Sequence, residues 1–393
     1  MLFTPTILPN IRISCSLRST FMLNWGRVPK SFPHTCASTV GFRLFDTVIY
    51  KKARNIMSEK FTTIYNIFTG GTIGSRINNA GSISTNGDAP FQLTEMYLKN
   101  HRNVNFINCE PYRILSENLC SKNLLSLINS VNTALKRTDI DGIIITHGTD
   151  TLQYTAAILC YVFAAAKLPV MIVSSDFVLD DVRANGLINY TYAADFIINK
   201  RGHGVFVSYC NKGGIPTIHR ASRLQPPVPY SGDVSSVSDS WYGKYCESGY
   251  IANPDYKVSK DNTYEFVNPE NVNLSDCSDF ILRIPAYPGF KYPALSQKTK
   301  AVLHESFHSG TICINNDLER FAKSAKALEI PIYLSGLSAY MTEYDTVELY
   351  RKLGIIALHD SALIAAYCKL WLAISNNLDI KKVMNKSIAE DFI

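Results

Sequence analysis

The stretch Asp141-Gly-Ile-Ile-Ile-Thr-His-Gly-Thr-Asp-Thr-Leu152 decides the fold of this chain. Its consecutive isoleucines are β-branched and uninterrupted by polar residues, a pattern typical of a strand buried on both faces of a parallel sheet. The apolar run that follows, 153–166, has helical spacing. The polar residues at 147–151 are therefore predicted to lie between the carboxyl end of a strand and the amino end of a helix.

This position allows two interpretations of Thr149 and Asp150. Open α/β sheets bind their ligands at this edge, because unpaired amide groups and the positive end of the helix dipole meet there. In that case both residues belong to a binding or catalytic site. Alternatively, one of the two side chains caps the helix, which is common chemistry for threonine and aspartate. Spacing alone leaves both interpretations open.

The overall composition describes a globular protein. The chain has 393 residues, of which 46% are hydrophobic and 18% charged, so it is long enough for two domains and a large core. A formal charge of +6 is mild, and no basic run is interleaved with aromatic residues. Binding to nucleic acid is therefore not indicated. The apolar run at 153–166 is too short to span a bilayer, and no association with a membrane is expected.

The cysteines indicate a reducing compartment. Ten are scattered along the chain, with no CxxC pair and no Cys/His spacing that suits zinc. Cys160 and Cys368 lie in apolar runs, where a free thiol packs as a small hydrophobic group. We expect no structural metal and a cytoplasmic location, or an organelle if the amino-terminal segment is a transit peptide.

Residues 1–56 differ in composition from the rest of the chain. They contain eight Lys/Arg residues and a single acid, Asp46, without a steady hydrophobic period. This composition is typical of an organelle transit peptide. A translated upstream segment is the alternative, since Met57 would serve as a start just before the first strand. Both origins predict that the segment lies outside the fold.

From residue 61 onwards, strands and helices alternate, which predicts a mostly parallel sheet covered by helices on both faces. Residues 225–275 are rich in Pro, Ser, Gly, Asp, Asn and Tyr, and a second α/β run follows them. We predict a large amino-terminal domain at 57–245, a linker at 246–275 and a smaller carboxyl-terminal α/β domain at 276–393. The predicted strands are 62–68, 143–145, 168–173, 204–209, 280–286, 301–305 and 330–334. The predicted helices are 92–99, 123–135, 153–166, 186–198, 318–328, 346–353 and 361–375.

A glycine-rich turn, Thr69-Gly-Gly-Thr-Ile-Gly-Ser75, follows the first predicted strand. It lacks the GxGxxG spacing of a dinucleotide loop and the lysine of a Walker loop, so a phosphate site is weakly indicated. A glycine pair flanked by hydroxyl groups also lets backbone amides approach a small anion or an oxyanion. A plain tight turn is the remaining interpretation.

Three motifs occur together in this chain: TGGTIG at 69–74, HGTDT at 147–151 and DDVRANGLIN at 180–189. In this order and spacing they resemble the L-asparaginase/glutaminase family of bacterial type. The resemblance covers nearly all of 61–375, more loosely after residue 280. It implies two α/β domains and a homodimer or homotetramer. It also implies hydrolysis of a side-chain amide, without metal or organic cofactor. L-asparagine is the expected substrate, with L-glutamine as a candidate second one.

The resemblance also implies roles for individual residues. Thr72 matches the nucleophile, Thr149 and Asp150 the second hydroxyl–carboxylate pair, and Ser116 and Glu117 the pair that binds the α-carboxylate and α-ammonium groups. The chemistry agrees with these roles. A threonine hydroxyl needs a base before it attacks, and charge on the amide oxygen needs fixed donors such as Thr149 and loop amides. An ammonium group needs carboxylates, which Asp150 and Glu117 supply.

Two positions depart from the family pattern. Ser82 stands where most members have a tyrosine, and a serine is too short and too weak an acid to replace it directly. Arg223 aligns with the lysine partner of the Thr-Asp pair. An arginine there keeps a charge beside Asp150 but cannot release a proton, although a variant branch carries it. An acid from a partner subunit often completes the family's site, and Glu343 or Glu348 is the candidate here.

The departures motivate a second hypothesis, a non-catalytic amino-acid-binding protein of the same fold. A third is the ammonia-supplying subunit of a tRNA-linked amidotransferase, which shares this domain. Such subunits carry an extra folded amino-terminal domain, and residues 1–56 look too irregular for one. His147 is predicted to be a packed, hydrogen-bonded residue rather than a proton carrier.

Overall fold

The isoleucine run forms a strand, Gly142–Thr146, that is third from one edge of an eight-stranded sheet and buried at every residue. The computed structural model describes residues 61–77, 83–84, 89–276, 279–337, 344–359 and 361–393. The predicted extension at 1–56 therefore lies outside the described residues, as do Ser82 and Glu343.

Strands β1 to β10 belong to the first part of the chain. Their bounds are β1 Thr62–Phe68, β2 Arg76–Ile77, β3 Ile83–Ser84, β4 Val104–Cys109, β5 Gly142–Thr146, β6 Pro169–Val173, β7 Gly204–Tyr209, β8 Thr217–Arg220, β9 Gly243–Cys246 and β10 Gly249–Ala252. The large sheet has the order β10-β9-β8-β7-β6-β5-β1-β4, and β2 pairs with β3 in a separate hairpin. The pairs from β4 to β7 are parallel, whereas β8, β9 and β10 are added antiparallel.

Helices cover both faces of the large sheet. Their bounds are α1 Ala89–Leu98, α2 Ser121–Leu135, α3 Leu152–Val162 and α4 Gly186–Ile198. Side chains alternate across the sheet, so Ile144 packs in the same core cluster as residues of α1 and α4. Ile143 and Ile145 pack on the other face with α2 and α3. This burial of both faces explains why the strand is a continuous apolar run.

The order of the strands creates a crevice after β1 and β5. These two strands are neighbours, but β1 leads through α1 to β4 on one side, whereas β5 leads through α3 to β6 on the other. Loops that leave adjacent strands in opposite directions open a crevice at the carboxyl edge of the sheet, where α/β proteins bind their ligands. Both sequence motifs, 69–75 and 147–151, lie in those two loops.

A second, smaller sheet is entirely parallel. It contains β11 Ile281–Ile284, β12 Ala301–Glu305, β13 Ile332–Leu337 and β14 Ile355–His359 in that order. The remaining helices are α5 Asn316–Ala327, α6 Thr346–Lys352, α7 Leu363–Ser375 and α8 Ile380–Met384. Helices α5 and α6 pack on one face of this sheet, and α7 and α8 on the other. Helix α7 also packs against α3 of the large sheet, so it lies between the two sheets.

The predicted α/β fold class is confirmed, and several bounds agree to the residue, including β1, β7, β12 and α4. Several observed elements had no counterpart among the predicted strands and helices, and three of them are instructive. β4 is an edge strand with exposed asparagines at 105 and 108, β14 follows a helix almost directly, and the β9–β10 hairpin extends the large sheet to Ala252. This hairpin crosses the predicted start of the linker at residue 246. The helix predicted at 153–166 ends at Val162, because the following alanines form a turn back to the sheet.

Candidate active site

The turn after β1 continues the pairing of β1 with the segment after β4. Gly70 forms a parallel bridge with Ile114, and the Gly71 amide donates to the Ile114 carbonyl at 2.9 Å. Both glycines have positive φ, 99° and 72°, and a Cβ on Gly70 would lie 2.3 Å from the Ile114 carbonyl oxygen. Glycine is therefore required here by both backbone conformation and space. The chain then enters a 3-10 turn, Thr72–Gly74.

A backbone contact between two glycines brings the motifs together. A Cβ on Gly71 would lie 2.4 Å from the Gly148 Cα, and a Cβ on Gly148 would lie 2.4 Å from the Ser116 Oγ. The Thr69 hydroxyl adds a buried hydrogen bond of 2.7 Å to the Thr146 carbonyl. The loops after β1 and β5 and the segment after β4 therefore meet at one place.

Thr72 begins the 3-10 turn and is half-buried. Thr149, in the loop after β5, is also half-buried. Within the described residues, neither threonine hydroxyl has a hydrogen-bond partner. Both hydroxyl groups are thus free to contact a bound molecule in the crevice.

Asp150 is exposed, and its carboxylate accepts a hydrogen bond of 3.3 Å from the Ser116 hydroxyl. The Thr151 hydroxyl donates to the Ser116 carbonyl at 2.9 Å, a tether that sequence patterns did not indicate although Thr151 belongs to the HGTDT motif. Thr151 is the N-cap of α3, and no side chain caps this helix. The capping interpretation of Thr149 and Asp150 is therefore not realised in the structure.

Glu117 follows Ser116 in a 3-10 turn, Ser116–Asn118, and is exposed. Ser116 itself is 4% exposed, because it lies under Gly148. The structure thus brings Ser116 and Asp150 into contact and places Glu117 at the surface beside them. The arrangement offers one hydroxyl group and two carboxylates for a zwitterionic ligand.

His147 is buried, as predicted for a packed histidine. Its Nδ1 lies 2.8 Å from the Gly148 carbonyl, which can only accept, so this nitrogen carries the proton. The Thr155 hydroxyl then donates to Nε2, also at 2.8 Å. Burial lowers the pKa of His147, which keeps the ring neutral. Its role is to fix the loop, and the Ser174 hydroxyl holds its carbonyl at 2.7 Å.

The structure does not place Arg223 beside Asp150. Arg223 is fully buried, and its Nε and Nη2 donate to the carbonyls of Glu390 and Lys257 at 2.7 and 2.6 Å. Its guanidinium also stacks 4.2 Å from the ring of Tyr256. Within the described residues it has no ion pair with Asp150. The 3-10 turn Ala221–Arg223 directs the side chain into the carboxyl-terminal segment, whose contacts are remote in sequence.

Glu348 lies in the first turn of α6 and is exposed. It pairs loosely with Arg351 and Lys352 of its own helix, at 3.8 and 3.9 Å. Ion pairs at this exposure contribute little stability. Within one described chain, Glu348 is a solvated acid near a helix start, and a role in a partner's site stays a prediction.

Comparison with known proteins gives the class of the protein. Residues 63–226 match the family model "Asparaginase, N-terminal". The chain is 30% identical over 352 residues to L-asparaginase 1 of Escherichia coli strain K12, covering 83% of this chain and 96% of that protein. It is 27% identical over 350 residues to a glutamyl-tRNA(Gln) amidotransferase subunit of Methanobrevibacter smithii, covering 83% and 76%.

Solved structures agree on the fold. The thermostable L-asparaginase from Thermococcus kodakarensis superposes with a TM-score of 0.68 at 19% identity, covering 84% of this chain and 99% of that one. L-asparaginase I from Vibrio cholerae gives a TM-score of 0.68 at 23% identity, with coverage of 85% and 99%.

The sheet, the crevice and these relatives define the class of the protein: it is an amidohydrolase. Within that class, the chain belongs to the asparaginase family, as the two motifs indicated.

Proposed function

We propose that this enzyme hydrolyses the side-chain amide of L-asparagine to L-aspartate and ammonia, with Thr72 as the nucleophile. The observation that carries the proposal is the contact of Gly71 with Gly148. It brings the residue before Thr72 against the residue before Thr149, which supports a shared crevice for Thr72, Thr149 and Asp150. L-glutamine, one methylene longer, is a candidate second substrate.

The reaction proceeds in two halves. The Thr72 hydroxyl oxygen attacks the amide carbon and gives its proton to a base, and the amide nitrogen leaves with a proton as ammonia. A covalent ester of Thr72 and the aspartyl group remains. Water then attacks this ester, which releases L-aspartate and restores the threonine hydroxyl. Backbone amides of the loop and the Thr149 hydroxyl stabilise the oxyanion that forms in each half.

Substrate binding uses a second set of residues. Asp150 and Glu117 attract the α-ammonium group, and the Ser116 hydroxyl donates to the α-carboxylate. Two of these groups are already in contact, since the Ser116 hydroxyl lies 3.3 Å from the Asp150 carboxylate. A ligand that accepts from Ser116 replaces this long bond with a charge-assisted one.

The base for Thr72 comes from elsewhere. Arg223 is turned into the carboxyl-terminal segment and cannot release a proton, so it is unsuited to the task. We propose a homodimer or homotetramer in which Glu343 or Glu348 of a second copy completes the site. Replacing each in turn by glutamine distinguishes them: the variant that loses turnover while keeping its oligomeric state identifies the acid.

The direct test is ammonia release by the purified full chain from L-asparagine and from L-glutamine. We expect release from L-asparagine, at a higher kcat/KM than from L-glutamine. Absence of ammonia from both amides at high enzyme concentration, with ligand-induced thermal stabilisation retained, would instead support a non-catalytic binding protein.

The similarity to the glutamyl-tRNA(Gln) amidotransferase of Methanobrevibacter smithii favours a second candidate, an ammonia-supplying subunit. Such a subunit uses L-glutamine and passes its ammonia to a partner enzyme. The same assay separates the candidates. Preference for L-glutamine, with turnover that rises when a tRNA-dependent partner is added, would support the subunit role. Preference for L-asparagine in the absence of any partner supports the asparaginase.

We propose that the enzyme works in the cytoplasm. Six described cysteines are free thiols, as expected in a reducing compartment: Cys109, Cys120, Cys160, Cys210, Cys246 and Cys313. As a separate finding, none of the helices in the described ranges is long and apolar enough to cross a membrane. Cell fractionation checks the location, and recovery of the chain in an organelle would instead support the transit-peptide interpretation of residues 1–56.

A further inference from the structure

The amino end of α3 carries the site residues Thr149 and Asp150, and the small sheet holds this end from the other side. Tyr154 lies in the first turn of α3, and its hydroxyl accepts a hydrogen bond of 2.9 Å from Nη1 of Arg283 in β11. A residue of the small sheet thus contacts the helix one turn away from the proposed substrate-binding carboxylate.

The alternation of side chains explains why Arg283 reaches α3. Ile281 and Leu303, on neighbouring strands β11 and β12, point to the face covered by α7. Two residues further along each strand the same face carries Arg283 and Glu305. Their side chains pair, with Nε of Arg283 2.6 Å from Oε1 of Glu305. Glu305 therefore orients the guanidinium, and the remaining donors of its fork point towards Tyr154.

Tyr154 is held by α7 as well. Its ring stands edge-on to Tyr367, with centroids 5.9 Å apart and an interplanar angle of 87°. Its carbonyl accepts a contact of 3.7 Å from the Cys368 thiol. The first turn of α3 is thus fixed by a ring, a thiol and a guanidinium from the second half of the chain.

These contacts matter because α3 has no side-chain cap. Besides them, this end of the helix is held by the Thr151–Ser116 and Thr155–His147 hydrogen bonds. A helix end with few local restraints takes its position from such tertiary contacts. A shift of Asp150 by a fraction of an ångström changes its fit to an ammonium group more than it changes the stability of the fold.

We propose that Tyr154 and Arg283 are positioning residues for the amide-hydrolysing site. Through the Glu305–Arg283–Tyr154 contacts, the small sheet sets where Asp150 stands relative to Thr72 and Ser116. Neither Tyr154 nor Arg283 contacts the substrate. The kinetic part of the test rests on the proposed function, and the structural part does not.

The test compares two tyrosines of α3. Tyr154→Phe removes the hydroxyl bound by Arg283, whereas the control Tyr161→Phe removes a hydroxyl bound to Asp391 two turns further along. We measure KM and kcat for ammonia release, together with deuterium uptake of the peptide 147–156. We expect Tyr154→Phe to raise KM about 3- to 10-fold and to increase uptake in that peptide. Tyr161→Phe loses a fully buried hydrogen bond and should lower the melting temperature. It should leave KM and the deuterium uptake of peptide 147–156 unchanged.

A second variant tests the chain of contacts. Arg283→Met should raise KM and deuterium uptake as much as Tyr154→Phe does. The double variant Tyr154→Phe/Arg283→Met should have a KM no higher than either single variant. Arg283→Lys should have a KM between those of the wild type and Arg283→Met. Wild-type KM and wild-type uptake in both Tyr154→Phe and Arg283→Met would overturn the proposal, as would effects that multiply in the double variant. If the wild type hydrolyses neither amide, the proposed function fails, while deuterium uptake still decides the positioning role.

Discussion

Polar side chains converge at two places against the large sheet, the crevice after β1 and β5 and the buried carboxyl-terminal segment at 387–393. In the carboxyl-terminal segment every charge has its partner inside the protein. Glu390 accepts from Arg220 at 2.6 and 3.0 Å and from Tyr256 at 2.6 Å, and Asp391 accepts from Lys369 at 2.8 Å. The four charged side chains, Arg220, Lys369, Glu390 and Asp391, are almost fully buried.

The crevice has the opposite character. Its backbone is tightly fixed by Gly71 and Gly148, but Thr72 and Thr149 have free hydroxyls in the described part of the chain, and Asp150 is exposed. A polar cluster that stabilises the fold and a candidate ligand site therefore differ in whether their polar groups are already paired. Buried groups that satisfy each other have nothing left for a ligand, whereas half-exposed groups on a rigid backbone do.

Removing the Thr72 hydroxyl should have the largest effect on activity with little change in structure. Thr72→Ala should lower kcat for L-asparagine by about 10³-fold or more, because the attacking oxygen is gone. Its free energy of unfolding should stay within about 1 kcal/mol of the wild type, since the lost hydroxyl has no partner in the described residues. Urea unfolding and an ammonia assay measure the two quantities. Thr72→Ser, which keeps a hydroxyl, is the control and should retain measurable turnover.

A substitution in the carboxyl-terminal segment should affect stability and not activity. Glu390→Gln leaves the guanidinium of Arg220 buried without its counter-charge, so the free energy of unfolding should fall by about 3–5 kcal/mol. The folded fraction of Glu390→Gln should have the same KM as the wild type. Denaturant unfolding and kinetics below the melting temperature test this pair of results.

Asp150→Asn is the matched carboxylate in the crevice. It should change stability by less than about 0.5 kcal/mol, because the residue is exposed, yet lower kcat/KM by about 100-fold or more. A loss of stability as large as that of Glu390→Gln would contradict the distinction between the two places.

The third prediction concerns the glycine contact that joins the two motifs. A methyl group on Gly148 would lie 2.4 Å from the Ser116 Oγ. Gly148→Ala should therefore push the loops apart, lower stability by about 1–3 kcal/mol and raise KM. Gly213→Ala is the control for changing a glycine in open space, because its Cβ would meet nothing within 4 Å. Unlike Gly148, Gly213 has a positive φ of 70°, so Gly213→Ala should cost stability through backbone strain without affecting KM.

The smallest expected effect is a pH dependence of the free energy of unfolding, which arises from the buried His219 and not from the crevice. Burial lowers the pKa of His219 to about 3, helped by the charge of Lys244. The unfolded chain binds a proton below about pH 6.5, but the folded one does not until about pH 3. Stability is therefore fully present above pH 6.5 and falls with decreasing pH, by at most about 1.4 kcal/mol per pH unit for this group.

His219→Gln removes this titration, so its unfolding free energy should depend less steeply on pH between 6 and 4. Urea unfolding at pH 7, 6, 5 and 4 compares the two proteins. Parallel curves would show that His219 is not protonated on unfolding in this range.

Much of this arrangement could be predicted from the sequence. The buried strand β5 and the alternation of strands and helices follow from local patterns, whereas the association of 69–75 with 147–151 followed from the resemblance to the asparaginase family. The position of Arg223 could not be predicted in this way. Its partners are the carbonyls of Glu390 and Lys257, and a carbonyl group has no residue type that a sequence pattern would reveal.

The role of Tyr154 was hidden for a similar reason. Tyr154 occupies an ordinary helical position, and its partner Arg283 is 129 residues away on another sheet. Pairing of that kind is set by how α7 packs between the two sheets. The edge strand β4 was missed because Asn105 and Asn108 interrupt the apolar run that marks a buried strand.

Whether Thr72 is the nucleophile is tested most directly by trapping the acyl group that we propose forms on its hydroxyl. Hydroxylamine competes with water for a covalent ester and converts it to the hydroxamate of aspartic acid. With L-asparagine and hydroxylamine, the wild type should produce this hydroxamate alongside L-aspartate, and Thr72→Ala should produce neither. Hydroxamate formation by Thr72→Ala at the wild-type rate would show that the nucleophile lies elsewhere and would contradict the account.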